Sequence, residues 1–445
     1  MILILVPGDT PRLRYALDLV LGRVLGLRWQ AVTRRGEIPA GVPWIDYAGA
    51  SPEAVLAVPN AGLLAGQGCA PVDPGPRRRP DGTLELFAAP PGGGSPPAKG
   101  GPGGEASISG TRIWPFDLFS AAFYLAAEYA RYTNPPIGPH GRYDQSDDAA
   151  WGLDRTPWIA HWAQELHAAL ALPGALPPPP PDELTVDVDF PWKYRFKPLH
   201  IQAGALARDL LRLDLREART RLAVWAGAPD PYSTWSRLEA LMPPQQIRLF
   251  FLIGRHSPHD SRFSARTPAY RRLIARLAAA GYQIGIHPSY TTPEHPGRLL
   301  AEVRQLRALI GQPLDASRQH FLRYRLPGTR RALLEAGIRQ DYTPCLFASG
   351  GFPAGMCSPW PWYDLEAEAQ TSLMLHPTIL MDRSARQYLR LTPEQTLAHA
   401  QHLLARTRSY GGAFTLLIHN DTLSGTDDWR GWQETWETII GQMTR

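Results

Sequence analysis

Two aspartates stand one residue apart at the end of a β-branched run, Thr185-Val186-Asp187-Val188-Asp189. The side-chain period of a strand is two, so Asp187 and Asp189 share a face. Carboxylates held that close repel each other, which raises one pKa unless a cation sits between them. A metal or a proton-transfer role accounts for such a placement; a strand end entering a polar turn is the plain alternative. Further groups able to ligate a metal or carry a proton follow other short apolar runs. His287 follows residues 282–286, Arg318 and His320 lie within 317–321, and His419 follows 413–418.

Residues so far apart in sequence need elements that bring their ends together. From 182 onward, strand-like runs at 185–189, 246–253, 282–286, 317–321 and 413–418 alternate with helical patterns. The helices are expected over 201–213, 267–280 and 298–310, with another between Pro327-Gly328 and Gly337. This rhythm predicts an α/β fold with a parallel sheet or a (β/α) barrel. Asp189, His287, Arg318, His320 and His419 all fall at predicted C-terminal strand ends, the rim on which such barrels build active sites.

The preceding part of the chain reads differently. Short strands and a helix over 12–25 lead into a low-complexity Pro/Gly stretch, 71–110, expected to be disordered. Asp117 can cap a helix reaching about 132, dense in aromatics: Phe119, Phe123, Tyr124, Tyr129 and Tyr132. Core packing is the main expectation for them, and a sugar-stacking platform the sharper one. A second helix follows Pro157, and the prolines at 177–181 form a stiff linker. Two domains are therefore expected. The first is a smaller N-terminal α/β domain of unknown role over 1–172, with the disordered insert near 71–110. The second occupies 182–445.

Composition narrows the class. A hydrophobic content of 44% is that of a globular chain. Three scattered cysteines, Cys69, Cys345 and Cys357, form neither a disulfide framework nor a thiolate zinc site. The net charge of +5 comes from arginines spread along the chain, densest at Arg77-Arg78-Arg79. Without a nucleic-acid motif, nucleic acid is not an expected partner. The apolar start, residues 1–8, lacks a charged leader and reads as a first strand. No run approaches the ~18 apolar residues of a membrane span, so a cytoplasmic location is expected.

With these residues in hand, 182–445 resembles the polysaccharide deacetylase family, the NodB-homology carbohydrate esterases, in a divergent bacterial subgroup with an extra N-terminal domain. The resemblance rests on Thr185-Val186-Asp187-Val188-Asp189, Gly285-Ile286-His287-Pro288-Ser289, Arg318 with Pro327 downstream, and Leu416-Leu417-Ile418-His419. It implies a distorted (β/α) barrel of NodB-homology type and a divalent metal, with zinc the expected ion. It assigns Asp187 as catalytic base, Asp189 and His287 as metal ligands, Arg318 as the residue orienting the base, and His419 as general acid. The family's second motif supplies another His where this chain has Thr291. The third ligand is then expected from His320, His256, His259 or Asp260, with His320 favoured for its strand-end position.

The function implied is metal-dependent hydrolysis of an N-acetyl or other acyl group from a sugar in cell-surface polysaccharide metabolism. The alternative is a catalytically silent deacetylase-like barrel that binds carbohydrate or a protein partner. Trp360, Trp362 and Tyr363 are candidates both for stacking on a sugar ring and for core packing.

Overall fold

A computed structural model describes residues 1–49, 51–88, 107–108, 111–133, 135–171 and 176–443. Beside a short strand pair within the insert, the described N-terminal part holds six strands: β1 (Ile2–Leu5), β2 (Trp29–Val32), β3 (Trp44–Asp46), β4 (Leu56–Ala57), β5 (Ser107–Ile108) and β6 (Thr111–Ile113). They form one sheet in the order β2-β1-β3-β4-β6-β5, parallel except for the last pair. The helix expected over 12–25 begins at Pro11, where Thr10 accepts a bond from the Leu13 amide, and continues after Leu17 as a wider turn over Asp18–Val24. Much of the predicted insert lies outside the described residues; within its described part, Arg77–Arg78 pairs with Leu84–Glu85.

The aromatic helix spans Leu118–Ala126, capped as expected by Asp117, which accepts from the Ser120 amide at 3.0 Å. All nine of its residues are buried, so its rings pack and do not form an open platform. Their partners include the C-terminal half. The Phe123 ring lies 5.1 Å from that of Tyr363, Trp360 donates to the Ala126 carbonyl, and Tyr15 donates to the Pro361 carbonyl. Trp360, Trp362 and Tyr363 are fully buried in this contact, which settles their role as packing and corrects the sugar-stacking expectation. One continuous apolar core therefore runs through both halves.

The C-terminal sheet contains β7 (Glu183–Val188), β8 (Ile247–Phe251), β9 (Gln283–Ile286), β10 (Ala316–Ser317), β11 (Gln340–Asp341), β12 (Trp360–Asp364), β13 (Ala369–Leu375), β14 (Leu380–Met381) and β15 (Thr415–His419). Their order is β12-β13-β11-β10-β9-β8-β7-β15-β14, all parallel apart from the β12–β13 hairpin. Apolar stripes on the intervening helices explain the layering; Tyr270, Leu273, Ile274 and Leu277 of Pro268–Ala279 are all buried.

The expected distorted barrel is corrected in one respect: among the described residues the ladder of strands is open. Its outermost parallel strands, β13 and β14, are nevertheless parts of one segment, 369–381, interrupted at His376-Pro377-Thr378. Before the break its amides bond to β11, with His376 donating to the Asp341 carbonyl at 2.8 Å. After it, Ile379 donates to the Thr415 carbonyl at 2.9 Å, and β14 pairs with β15. Pro377 has no N–H to continue the ladder, so the strand breaks where it passes from one neighbour to the other. The strand expected at 317–321 is also shorter, because Phe321 and Leu322 take positive φ and turn the chain sharply after Arg318.

Register fixes the rim. Val188 of β7 and Ile286 of β9 both pair with Phe251, and Ile286 pairs in turn with Ser317. The next residues along three of these strands are Asp189, His287 and Arg318, which leave the sheet at one level. On the other side, His419 pairs with Asp187.

Candidate active site

At this rim the structure brings together all six residues singled out in the sequence. His287 Nε2 lies 3.4 Å from Asp189 Oδ1 and 3.6 Å from Asp187 Oδ2. His320 Nε2 lies 3.9 Å from Asp189 Oδ1, and His419 Nε2 lies 3.7 Å from Asp189 Oδ2. Three histidine nitrogens thus surround one carboxylate.

The opposite ring nitrogens are all engaged. His287 Nδ1–H donates to the Arg318 carbonyl at 2.6 Å. His320 Nδ1 lies 3.3 Å from Asp260 Oδ1, and His419 Nδ1 lies 2.9 Å from Asp382 Oδ1. A donor fixed on Nδ1 leaves Nε2 of a neutral imidazole with its lone pair toward Asp189. Burial lowers the pKa of His287 against the pull of Asp187 and Asp189.

Asp189 Oδ1 is buried and accepts no hydrogen bond. An ionised oxygen without a donor is costly, and burial alone would raise the pKa of Asp189. The three surrounding histidines outweigh that and lower it. One ligand atom each from Asp189, His287 and His320 lies within 4.8 Å of the others. An orphaned carboxylate oxygen and two imidazole lone pairs, each oriented from behind, form a donor set that fits a divalent cation.

Thr291, which stands in place of the second-motif His, accepts a hydrogen bond from Arg298 at 2.7 Å. His320 supplies the third converging nitrogen. Of the other third-ligand candidates, Asp260 serves His320: its second oxygen accepts the amides of His256 and Ser257 at 2.8 Å each. Burial would raise the Asp260 pKa, but the bond from His320 and the backbone amides hold it at about 2. His256 approaches Glu302 at 3.4 Å, and the ring of His259 packs against Tyr290.

Arg318 is fully buried and all its bonds are directed. Nη1 donates to Asp187 Oδ1 at 3.0 Å, Nη2 to the Thr378 hydroxyl at 3.1 Å, and Nε to the Tyr342 carbonyl at 3.1 Å. Its guanidinium lies 4.7 Å from the centre of the Phe250 ring. A Cβ at Gly285 would fall 2.4 Å from that ring, so only glycine on β9 admits the support beneath the arginine.

Sequence reasoning missed Asp382 and Thr378. Asp382 is fully buried and accepts from His419 Nδ1, from the His419 amide at 2.7 Å and from the Thr422 hydroxyl. Burial alone would depress the His419 pKa; the Asp382 charge and hydrogen bond raise it to about 9. The available signal was the run Ile379-Leu380-Met381-Asp382, an apolar stretch ending in an acid like that before Asp187. Pro377 just upstream disguised it as a turn.

Residues 2–172, which include the N-terminal sheet, match a family of unknown function, DUF7033. No curated protein matches the chain. Among solved structures, it is similar to a putative polysaccharide deacetylase from Mycobacterium smegmatis, at 15% identity and a TM-score of 0.38, over 61% of this chain and 87% of that one. It is also similar to Puue allantoinase, at 12% identity and a TM-score of 0.38, over 61% and 89%. The carbohydrate deacetylase Agd3 aligns over 100% of this chain and 84% of its own, at 8% identity and a TM-score of 0.35. These likenesses are distant, and the functional reading rests on this chain's own residues.

Proposed function

We propose that the protein is a metal-dependent hydrolase that removes an acyl group from an N-acylated sugar. The observation that carries this reading is the buried, unbonded Asp189 Oδ1 facing the Nε2 atoms of His287 and His320. Asp189, His287 and His320 hold the cation. When bound, a divalent metal there supplies Lewis acidity, polarising an acyl carbonyl and acidifying a water.

The remaining groups divide the proton chemistry. Asp187 is outside the ligand set, and the Arg318 fork fixes the direction of its carboxylate. It accepts a proton from the attacking water. His419, kept protonated at neutral pH by Asp382, gives a proton to the departing amine nitrogen. Base and acid lie on adjacent strands, β7 and β15, on either side of Asp189. A sugar as the carrier of the acyl group follows from the resemblance of the four motifs.

The test is elemental analysis of the purified chain beside Asp189→Ala, with both assayed for release of acetate from N-acetylated sugars. About one metal per chain in the parent, with metal and hydrolysis both lost in the variant, is expected. Full hydrolysis by Asp189→Ala would overturn the proposal.

A further inference from the structure

Between β7 and β8 the chain inserts a helical hairpin, Leu199–Leu211 and Leu215–Trp225. It is made unlike the other helices of this half. Asp209 is the only buried residue of the first helix, and it is held there by Arg221 of the second at 2.7 Å. Ala218 and Val224 of the second helix are buried, but most of the larger apolar side chains point outward. Of the thirteen most exposed large apolar side chains among the described residues, nine lie between Phe190 and Trp225. Leu199, Leu211 and Leu213 are 84%, 85% and 81% exposed. Leu199, Ala203, Leu206 and Leu210 recur at the spacing of one helical face. An apolar patch of this extent on a water-facing surface marks an interaction site.

The charge of the same segment says what covers it. Although the arginines read as scattered through the sequence, residues 190–228 hold eight lysines and arginines against three acids. That is +5, equal to the net charge of the whole chain, so the rest of the protein is neutral overall. Arg208, Arg212, Arg216 and Arg219 are exposed among the leucines. At the base of the hairpin an open cleft of about 510 Å³ is lined by Lys193, Lys197, Arg208, Arg221 and Arg262, with Glu217 and Asp427 both bonded to Lys193.

We propose that this hairpin docks the protein on an anionic membrane surface, its leucines in the headgroup–acyl boundary and its arginines on lipid phosphates. Exposed apolar side chains flanked by arginine are what an interfacial helix presents, since guanidinium groups reach outward to phosphate while leucines go deeper. A second copy of this chain is the less suitable occupant, because a symmetric contact places the same +5 surface on both sides. No helix among the described residues is long and apolar enough to cross a membrane, so the attachment is to the surface. The proposal does not depend on the hydrolase reading.

Co-sedimentation of the full chain with phosphatidylglycerol–phosphatidylcholine vesicles, against phosphatidylcholine alone, tests it. Binding to the anionic vesicles only is expected, weakening as salt rises. Leu210→Glu/Leu211→Glu, at exposed positions, should reduce binding at least about tenfold with an unchanged melting temperature. Arg212→Gln/Arg216→Gln should reduce it about fivefold per arginine. Absence of binding, equal binding to neutral vesicles, or binding indifferent to both variants overturns the proposal. So does a dimer in sedimentation equilibrium that the leucine variant dissolves, which would assign the patch to a second copy.

Discussion

Geometry separates two of the buried charge clusters among the described residues. One lies between the halves: Arg330 pairs with Glu128 and, at 3.5 Å, with Asp341, while Arg131 pairs with Glu128 and, at 3.2 Å, with Asp148. Tyr324 donates to Glu128 at 2.6 Å. Each cation there faces an anion. The other cluster is the rim site. Arg318 faces Asp187 and His419 faces Asp382, but the ion pairs of Asp189 are with histidines, to whose pull the Arg383 charge adds. The first cluster pairs each arginine with an acid, Arg330 being held by charge and without a hydrogen bond, and joins two parts of the chain. The second leaves lone pairs converging on one point, which is how a binding site differs from a structural network of equal burial.

Substitution should drive the two apart. The largest effect expected is on chemistry: Asp189→Asn should remove metal and reduce hydrolysis to background. The same change should lower the melting temperature of the metal-free protein slightly, because the ionised carboxylate, whose pKa its surroundings hold below the ordinary value, contributes to the fold. Glu128→Gln should do the opposite. Two buried arginines would lose their shared anion, at a cost of about 3–5 kcal/mol, read by chemical denaturation, with metal content unchanged. A Glu128→Gln variant as stable as the parent would mean that the inter-half network carries no weight. Asp260→Asn should have a smaller effect on the metal, because Asp260 acts on the site through the orientation of His320. Metal affinity is expected to fall roughly 10–100-fold, the usual range for losing such a partner, measured by competition with a chelator.

The same contrast explains what could be read from the sequence. Asp187, Asp189, His287 and His419 were legible because each sits at the end of a regular strand, where period and register dictate facing. Arg318 and His320 were found although their strand stops at Ser317, since the turn through Phe321 still delivers His320 to the rim. Asp382 escaped because its strand is the second half of one broken at Pro377. The burial of Trp360, Trp362 and Tyr363 was undecidable locally, as it depends on the helix Leu118–Ala126 from more than two hundred positions earlier. The inter-half network was invisible for the same reason: nothing local ties Glu128 to Arg330.

The smallest effect sharpens the border of the site. Glu302, on the helix Pro296–Ile310, is buried behind the His287 loop. It accepts the Ser289 amide at 2.9 Å and the Ser289 hydroxyl at 2.5 Å, and burial pushes its pKa up to about 7. Two groups oppose each other nearby: the Asp260 charge adds to the upward shift and His320 works against it. A folded pKa above the ordinary 4.5 means that the native state binds the proton more tightly. The contribution of Glu302 to stability is therefore intact below pH 4.5, declines as pH rises through about 7, and is constant beyond. Glu302→Gln keeps the shape without the titration. Unfolding free energies of parent and variant measured from pH 4.5 to 8 should diverge in favour of the variant, by an amount on the order of 3 kcal/mol at most. A difference that stays flat across that range would show that Glu302 is ionised throughout, and would place it with the charge-matched network.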